Sequence, residues 1–403
     1  MFLKNKVIFF LGNARFDGNI KSTSYFIAQN LAKHNKVYFI DYPFTLKDYF
    51  KTSFNTEELN RRKQKFSLFS DGRLSTKIEN LEIIVTPPVL PINFIPEGPI
   101  FRGLLNLNEL IISRRLNKIL REENISEFIY INAFNFHYPG IAKKIKPTLS
   151  VYQCVDPMIV PYDMKHGIIS ERELVEESDV VICTSKALYK EKFSQNHQTY
   201  FVPNGTDLSH SNRPDSLTYA VHAKLVNIQR PIVGYLGTIE RRIDYPLIEE
   251  VVKTNPDVSF VFAGPISEGF VPELLFRMSN VHFLGPIAHQ DVEQVISNFD
   301  VAIIPFKKDE VSSTIFPIKL FEYLSAGKAV VATDFNEDLR DYTETCVEYC
   351  GSPASFSAAL KDALLSDTEE LKLKRRTLAK KNTWEIRAEQ ISEIIASHLP
   401  GKY

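Results

Sequence analysis

The apolar positions of this chain gather into short runs, at 7–11, 36–41, 81–86, 128–132, 149–154, 179–184 and 199–202 in the first half. In the second half they fall at 232–236, 258–263, 281–284, 300–305, 329–333 and 346–349. Runs this brief and this continuously apolar predict strands buried on both faces. Stretches predicted helical alternate with them, at 22–33, 103–121, 168–177, 186–193 and 290–298, and a helical C-terminus covers 369–399 with a break near Asn382-Thr383-Trp384. The alternation predicts an α/β protein with doubly wound parallel sheets. In the helix predicted at 103–121, Leu104, Leu107, Ile111, Ile112, Leu116 and Ile119 fall broadly on one side, with Arg114, Arg115, Lys118 and Arg121 on the other. Residues 43–81 are polar, charge-rich and weakly periodic and predict no definite element, and the proline-rich, apolar 87–96 suits neither a helix nor a central strand.

One stretch, 312–333, organises the second half. It reads as a polar turn, Ser312-Ser313-Thr314, then a short helix with Pro317 in its first turn, a stop at Gly327, and a buried strand. The start of a helix presents free N–H groups and a positive dipole end, and Lys319 adds a full charge one turn in. Glu322 lies three residues on, so it shares that face. A cation for phosphate beside a carboxylate for sugar hydroxyls suits a nucleotide diphosphate. The same spacing also describes an exposed Lys–Glu pair on an ordinary amphipathic helix.

Length suits two domains rather than one core: 403 residues, divided as 1–207 and 208–382, with a final helix at 383–403 that, as a resemblance of the chain to a known family implies, crosses back to the first domain. The 48 basic and 49 acidic residues leave no nucleic-acid footprint. No apolar run approaches a membrane span, and the run at 7–11 is too short for a signal-peptide core. The four cysteines, Cys154, Cys183, Cys346 and Cys350, lack a paired-knuckle spacing, so free thiols in a cytoplasmic protein are expected. There is no G-x-G-x-x-G, Walker loop, G-x-S-x-G or H-E-x-x-H, and no two Asp are separated by a single residue. No metal and no cofactor are therefore expected.

The run Pro317-x-Lys319-x-x-Glu322-Tyr323-x-x-x-Gly327, followed by an apolar strand, resembles the donor segment of nucleotide-sugar glycosyltransferases with two Rossmann-like domains facing a cleft, the GT-B architecture. The resemblance extends over nearly the whole chain, through Tyr152-Gln153-Cys154-Val155-Asp156, Thr184-Ser185-Lys186 and Val202-Pro203-Asn204-Gly205-Thr206, and is strongest over 232–333. It implies that Lys319 contacts the diphosphate, that Glu322 holds the ribose, and that Ser313, Thr314 and Pro317 border them. It places the turn Gly237-Thr238 and the loop to Asp244 over the diphosphate, with Arg241 or Arg242 supplying charge. Family members carry an Arg and a Lys where this chain has Thr238 and Asp244, and a second glutamate where it has Thr314. Gly264 and the backbone near Ile287 would line the cleft and read the base.

On the acceptor side the resemblance points to Gly12 and Asp17 in the first loop and to Asp156 in the loop 153–157, and the loop 132–137, which likewise ends a predicted strand, adds Asn135 and His137. A turn-capping role is an equal alternative for Asp17 and Asp156. The function implied is transfer of a sugar from a nucleotide-diphosphate donor to a glycan or lipid-linked acceptor of cell-surface polysaccharide, with retention and without a metal. In that reading Lys319, Arg242, Glu322 and Asp156 carry the chemistry. A nucleotide-sugar 2-epimerase and a non-catalytic sugar-nucleotide-binding protein share the features read so far. The apolar 87–96 beside a basic helix also allows a peripheral contact with the inner face of the cell membrane; a core helix with one solvated face is the competing reading.

Overall fold

The computed structural model describes residues 3–18, 22–54, 56–208 and 219–400. The polar run 209–216, which the sequence marks as an interdomain linker, lies outside them. The chain separates into two compact units, Met1–Pro203 with Arg387–Tyr403, and Asn204–Ile386. The last helix, Trp384–His398, thus has its body in the first unit, where the Leu3 N–H donates to Ser392 Oγ at 2.7 Å.

The first unit holds strands β1 (Val7–Leu11), β2 (Lys36–Ile40), β3 (Arg73–Ser75), β4 (Leu81–Ile84), β5 (Ile129–Ala133), β6 (Leu149–Cys154), β7 (Val180–Cys183) and β8 (Thr199–Phe201). Their order across the sheet is β3-β4-β2-β1-β5-β6-β7-β8, and only the β3–β4 pair is antiparallel. The continuous apolar runs have the expected cause: both faces are covered. Phe9 and Leu11 of β1 share a core with Ile112 and Leu116 of the Pro99–Glu122 helix, while Phe10 on the opposite face stacks on Phe39 at 5.6 Å.

Two expectations need correction here. The stretch 43–81 forms two short helices, Leu46–Lys51 and Glu57–Lys65, and the edge strand β3. The long helix, moreover, does not expose all its arginines. Arg115 is buried and donates to the carbonyls of Lys65 and Ser67, at 3.1 and 2.5 Å, and to that of Ser70, whereas Leu107 is exposed. The 43–81 stretch packs over the face that the periodicity assigned to solvent, and an arginine that meets several carbonyls can be buried.

The second unit holds β9 (Ile232–Leu236), β10 (Ser259–Ala263), β11 (Val281–Gly285), β12 (Val301–Ile304), β13 (Ala329–Thr333) and β14 (Val347–Cys350), all parallel, in the order β11-β10-β9-β12-β13-β14. The direction of winding reverses between β9 and β12. In a sheet of this order, ligands bind in the crevice outside the strand ends at that reversal. In the first unit the corresponding reversal lies between β1 and β5.

Candidate functional site

The helix Ile318–Ser325 sets the site in the second unit. Its buried face, Leu320, Phe321, Tyr323 and Leu324, is apolar enough to fix its rotation, which leaves Lys319 and Glu322 half-buried on the other side. Pro317 is the N-cap rather than a first-turn residue, and no side chain caps this helix. Gly327, at φ +74°, ends it: the N–H groups of Gly327 and Lys328 return to the carbonyls of Leu324 and Tyr323 at 3.0 Å each. The preceding turn is tied internally. The Ser313 and Thr314 hydroxyls donate to the carbonyls of Glu310 and Val311 at 2.7 Å, and Asn336 and Asn204 hold the carbonyls of Ile315 and Phe316 at 2.9 Å.

Opposite this helix, β9 ends at Gly237 and β10 at Gly264, with φ +136° and +149°. A Cβ on Gly264 would stand 2.1 Å from the Gly237 carbonyl oxygen, and a Cβ on Gly237 would stand 2.5 Å from Lys319 Nζ. Only glycine at both positions lets the two turns and the lysine come this close. Leu236 N–H donates to Tyr323 Oη at 2.8 Å, which fastens the turn to the helix.

Lys319 Nζ donates to Tyr235 Oη at 2.7 Å and lies 4.0 Å from the Tyr235 ring centroid and 5.1 Å from that of Phe306, which follows β12. The Arg242 guanidinium reaches the same Phe306 ring at 5.7 Å and pairs with Glu240. Burial brings Lys319 down to about 7, and the nearby Arg242 charge adds to this against the pull of Glu322 and Glu240. Burial likewise raises Glu322 to about 7, opposed by Lys319 and assisted by Asp207. Among the described residues, nothing hydrogen-bonds the Glu322 carboxylate. Two cations are thus held near one ring at the sheet's reversal, where an arriving anion would relieve both.

Other expected donor-side residues are distributed less tidily. Arg241 is half-buried with no hydrogen bond or ion pair among the described residues. Thr238 contributes its carbonyl to Tyr235 Oη at 2.9 Å. Asp244 is not a ligand group here: it accepts from the Leu247 N–H at 3.1 Å and caps the helix Tyr245–Thr254, which is why an acidic residue can stand in a basic loop. Ile287 is half-buried just after Gly285. Tyr235, Phe306 and Glu240 were not anticipated, since nothing in their spacing marks them; only the sheet brings them to Lys319.

In the first unit, Gly12 and Asn135 do meet at the reversal between β1 and β5. Asn135 is fully buried and donates to the Gly12 carbonyl at 2.9 Å while its backbone is bonded to Asn132, so it ties two strand ends and is no exposed acceptor contact. Asp17 is gripped by Arg62 at 2.6 and 3.0 Å. Asp156 is exposed after β6, and His137 lines a cavity with its Nε2 3.8 Å from Asp163.

Two parallel-sheet units with a cation-lined reversal in the second define the class: the chain has the GT-B fold of the two-Rossmann-domain glycosyltransferases. Residues 230–366, within the second unit, match the family model described as Glycosyl transferases group 1. Among curated proteins, the chain is 26% identical over 264 residues to the "Putative teichuronic acid biosynthesis glycosyltransferase TuaH" of Bacillus subtilis (strain 168). That match takes in 60% of this chain and 65% of the relative's length. Among solved structures it resembles a sucrose-phosphate synthase from Thermosynechococcus elongatus, with TM-score 0.66 at 14% identity over 98% of this chain and 99% of that one. It also resembles HepE of Anabaena in complex with UDP, with TM-score 0.63 at 15% identity over 97% and 100%. An E. coli chain described as trehalose-6-phosphate bound with UDP-2-fluoro glucose gives TM-score 0.66 at 10% identity over 98% and 100%.

The Lys319 environment has a measurable consequence. A bound diphosphate favours the charged ammonium, so binding at pH 8, above the free value of about 7, should take up a proton. Glu322 is already ionised there and contributes none. Affinity for an added nucleoside diphosphate such as UDP should fall by up to about tenfold per unit as the pH rises above 7, and weaken again below 7 as the Glu322 carboxyl takes up its proton. Calorimetry in buffers of differing ionisation enthalpy reads the uptake, which Lys319→Met should abolish; an unchanged uptake in that variant would assign the proton elsewhere.

Proposed function

We propose that the protein moves a sugar from a nucleotide-diphosphate donor, bound in the second unit, to a hydroxyl of a glycan or lipid-linked acceptor of cell-surface polysaccharide. The observation that carries this reading is the convergence of Lys319 and Arg242 on Phe306 at the sheet reversal, one helical turn from the unpaired Glu322 carboxylate. The names of the relatives support it: one is assigned to teichuronic acid biosynthesis, and HepE is seen with UDP and with UDP-glucose.

Charge builds on the leaving diphosphate as the glycosidic bond breaks. Lys319, Arg242 and the uncapped N–H groups at the start of Ile318–Ser325 face that charge, while Glu322 accepts hydrogen bonds from the ribose hydroxyls. Fixed cations need no reorganisation as the charge develops. In this reading the anomeric configuration is retained and a leaving-phosphate oxygen takes the acceptor proton. Cytoplasmic placement, with peripheral contact at the inner membrane face, belongs to the same proposal; among the described residues, no helix is long and apolar enough to cross a membrane.

Metal independence also belongs to this proposal. Among the described residues, no three His, Cys, Asp or Glu side chains group as metal ligands, and the protein's own cations take the role that Mg²⁺ or Mn²⁺ plays elsewhere. Turnover should survive excess EDTA; loss of activity that Mn²⁺ restores would refute this part. The proposal as a whole is tested by thermal-shift screening with UDP, GDP, ADP, dTDP and CMP sugars, followed by assay of sugar release with and without acceptor. A ligand at about 100 times its Kd adds about 2.7 kcal/mol and raises the melting point. No shift with any member, or conversion of the sugar without an acceptor, would overturn glycosyl transfer.

A further inference from the structure

The first unit contains a cavity of about 320 Å³ that the donor chemistry does not use. It lies at the carboxyl ends of β2, β4 and β5, which bring Tyr42, Leu90 and Tyr138, and against the Pro161–Glu177 helix, which brings Tyr162 and His166. His166 is 7% exposed and stacks on Phe101 at 3.6 Å. Its Nδ1 is 2.8 Å from the Glu97 carboxylate, which Arg102 also grips at 2.6 Å. Burial opposes the Glu97 charge, but the bonds from Arg102 and His166 outweigh it and hold the carboxyl below its ordinary range. A carboxylate has no proton to give, so Nδ1 donates to it, and Nε2 is enclosed out of reach of the cavity, whose wall the imidazole forms. Tyr42 and Tyr138 line the same space, the latter 5% exposed, and neither hydroxyl has a hydrogen bond among the described residues.

These groups select a ligand by exclusion. A purely apolar occupant would leave the Tyr42 and Tyr138 hydroxyls unpaired in a dry space, which is costly. An anion would meet Asp48 and Asp163 in the lining, against Lys47 alone; His137 is no second cation, because burial lowers its pKa despite the pull of Asp163. A neutral ring bearing several hydroxyls fits both constraints. Its C–H faces can pack on aromatic walls, and its hydroxyls can pair with those of Tyr42 and Tyr138. The rings of Phe94 and Tyr162, exposed by 78% and 61%, add aromatic surface to the lining.

We infer that this cavity binds a neutral pyranose unit of the acceptor, with the Tyr42 and Tyr138 hydroxyls pairing with ring hydroxyls; its role as acceptor rests on the glycosyl-transfer reading, the ligand class does not. The test is saturation-transfer NMR on the full chain with methyl glycosides of neutral hexoses and N-acetylhexosamines, against a methyl glucuronide and a hexose 6-phosphate. At least one neutral glycoside should bind at millimolar concentration, and the charged ones about tenfold more weakly. Tyr42→Phe and Tyr138→Phe should each weaken binding about fivefold while leaving the UDP thermal shift intact. Each removes one oxygen and keeps the ring that lines the cavity. Absence of neutral-glycoside binding, equal or better binding of the charged sugars, or wild-type affinity in Tyr138→Phe would overturn the inference. Glycoside binding without any UDP response would sink the glycosyltransferase reading and leave this one standing.

Discussion

Lys319→Ala should lower turnover with a nucleotide sugar by about 10²–10³-fold, equivalent to about 2.7–4 kcal/mol of lost transition-state stabilisation. The lysine is held by the Tyr235 hydroxyl and ring in a partly dry pocket, where a charge is worth more than in water. The variant should remain folded. Burial and the neighbouring Arg242 work against the lysine's charge in the free protein, so its removal relieves a cost, and the melting point should stay level or rise. Glu322→Gln should instead weaken donor affinity, since it keeps the shape and loses the charge that strengthens bonds to ribose hydroxyls. Steady-state kinetics with calorimetry separates the two effects. Wild-type kinetics in Lys319→Ala would show that the donor site lies elsewhere.

Arg62→Ala should destabilise the first unit by about 3–5 kcal/mol, because it strands a buried charge. Arg62 is 1% exposed. Its Nε donates to Asp41 at 2.7 Å, and its two terminal nitrogens fork onto Asp17 at 2.6 and 3.0 Å. Asp41 is itself 3% exposed and accepts from the Phe16 N–H at 2.9 Å, so the arginine ties the helix Glu57–Lys65 to the loop after β1 and the end of β2. For a unit of roughly 200 residues this corresponds to a calorimetric transition lowered by about 6–20 °C. Arg62→Met combined with Asp41→Leu should cost less than Arg62→Ala alone, since it removes both charges together. A single variant within about 1 °C of wild type would show the ion pairs to be dispensable.

The two kinds of information in this chain separate along physical lines. Elements with strong local signals could be read directly. The runs Val301–Ile304 and Ala329–Thr333 are apolar because both faces of a parallel strand are covered, and Gly327 ends its helix because a left-handed residue is needed there. The helix Pro353–Ser366 carries an equally clear local signal, Ser352 as its cap with Pro353 at the first helical position. The placing of Lys319 and Glu322 on one helix face is likewise a matter of helical period.

What the sequence by itself determined is therefore whatever depends on neighbours within a turn or a strand: the α/β class, most of the parallel strands, and the cation and carboxylate on one helix. Tertiary structure alone decided which groups surround them. Tyr235, Glu240, Arg242 and Phe306 come from two different strand ends, and they reach Lys319 only because β12 lies next to β9 in the sheet. Arg115 and Arg62, ordinary surface arginines by pattern, are buried because residues distant in sequence supply carbonyls and carboxylates to them. Charge partners act through space at a few ångströms, whereas periodicity reports only on chain neighbours, so the pattern could place Lys319 on the right helix face but could not say what lowers its pKa.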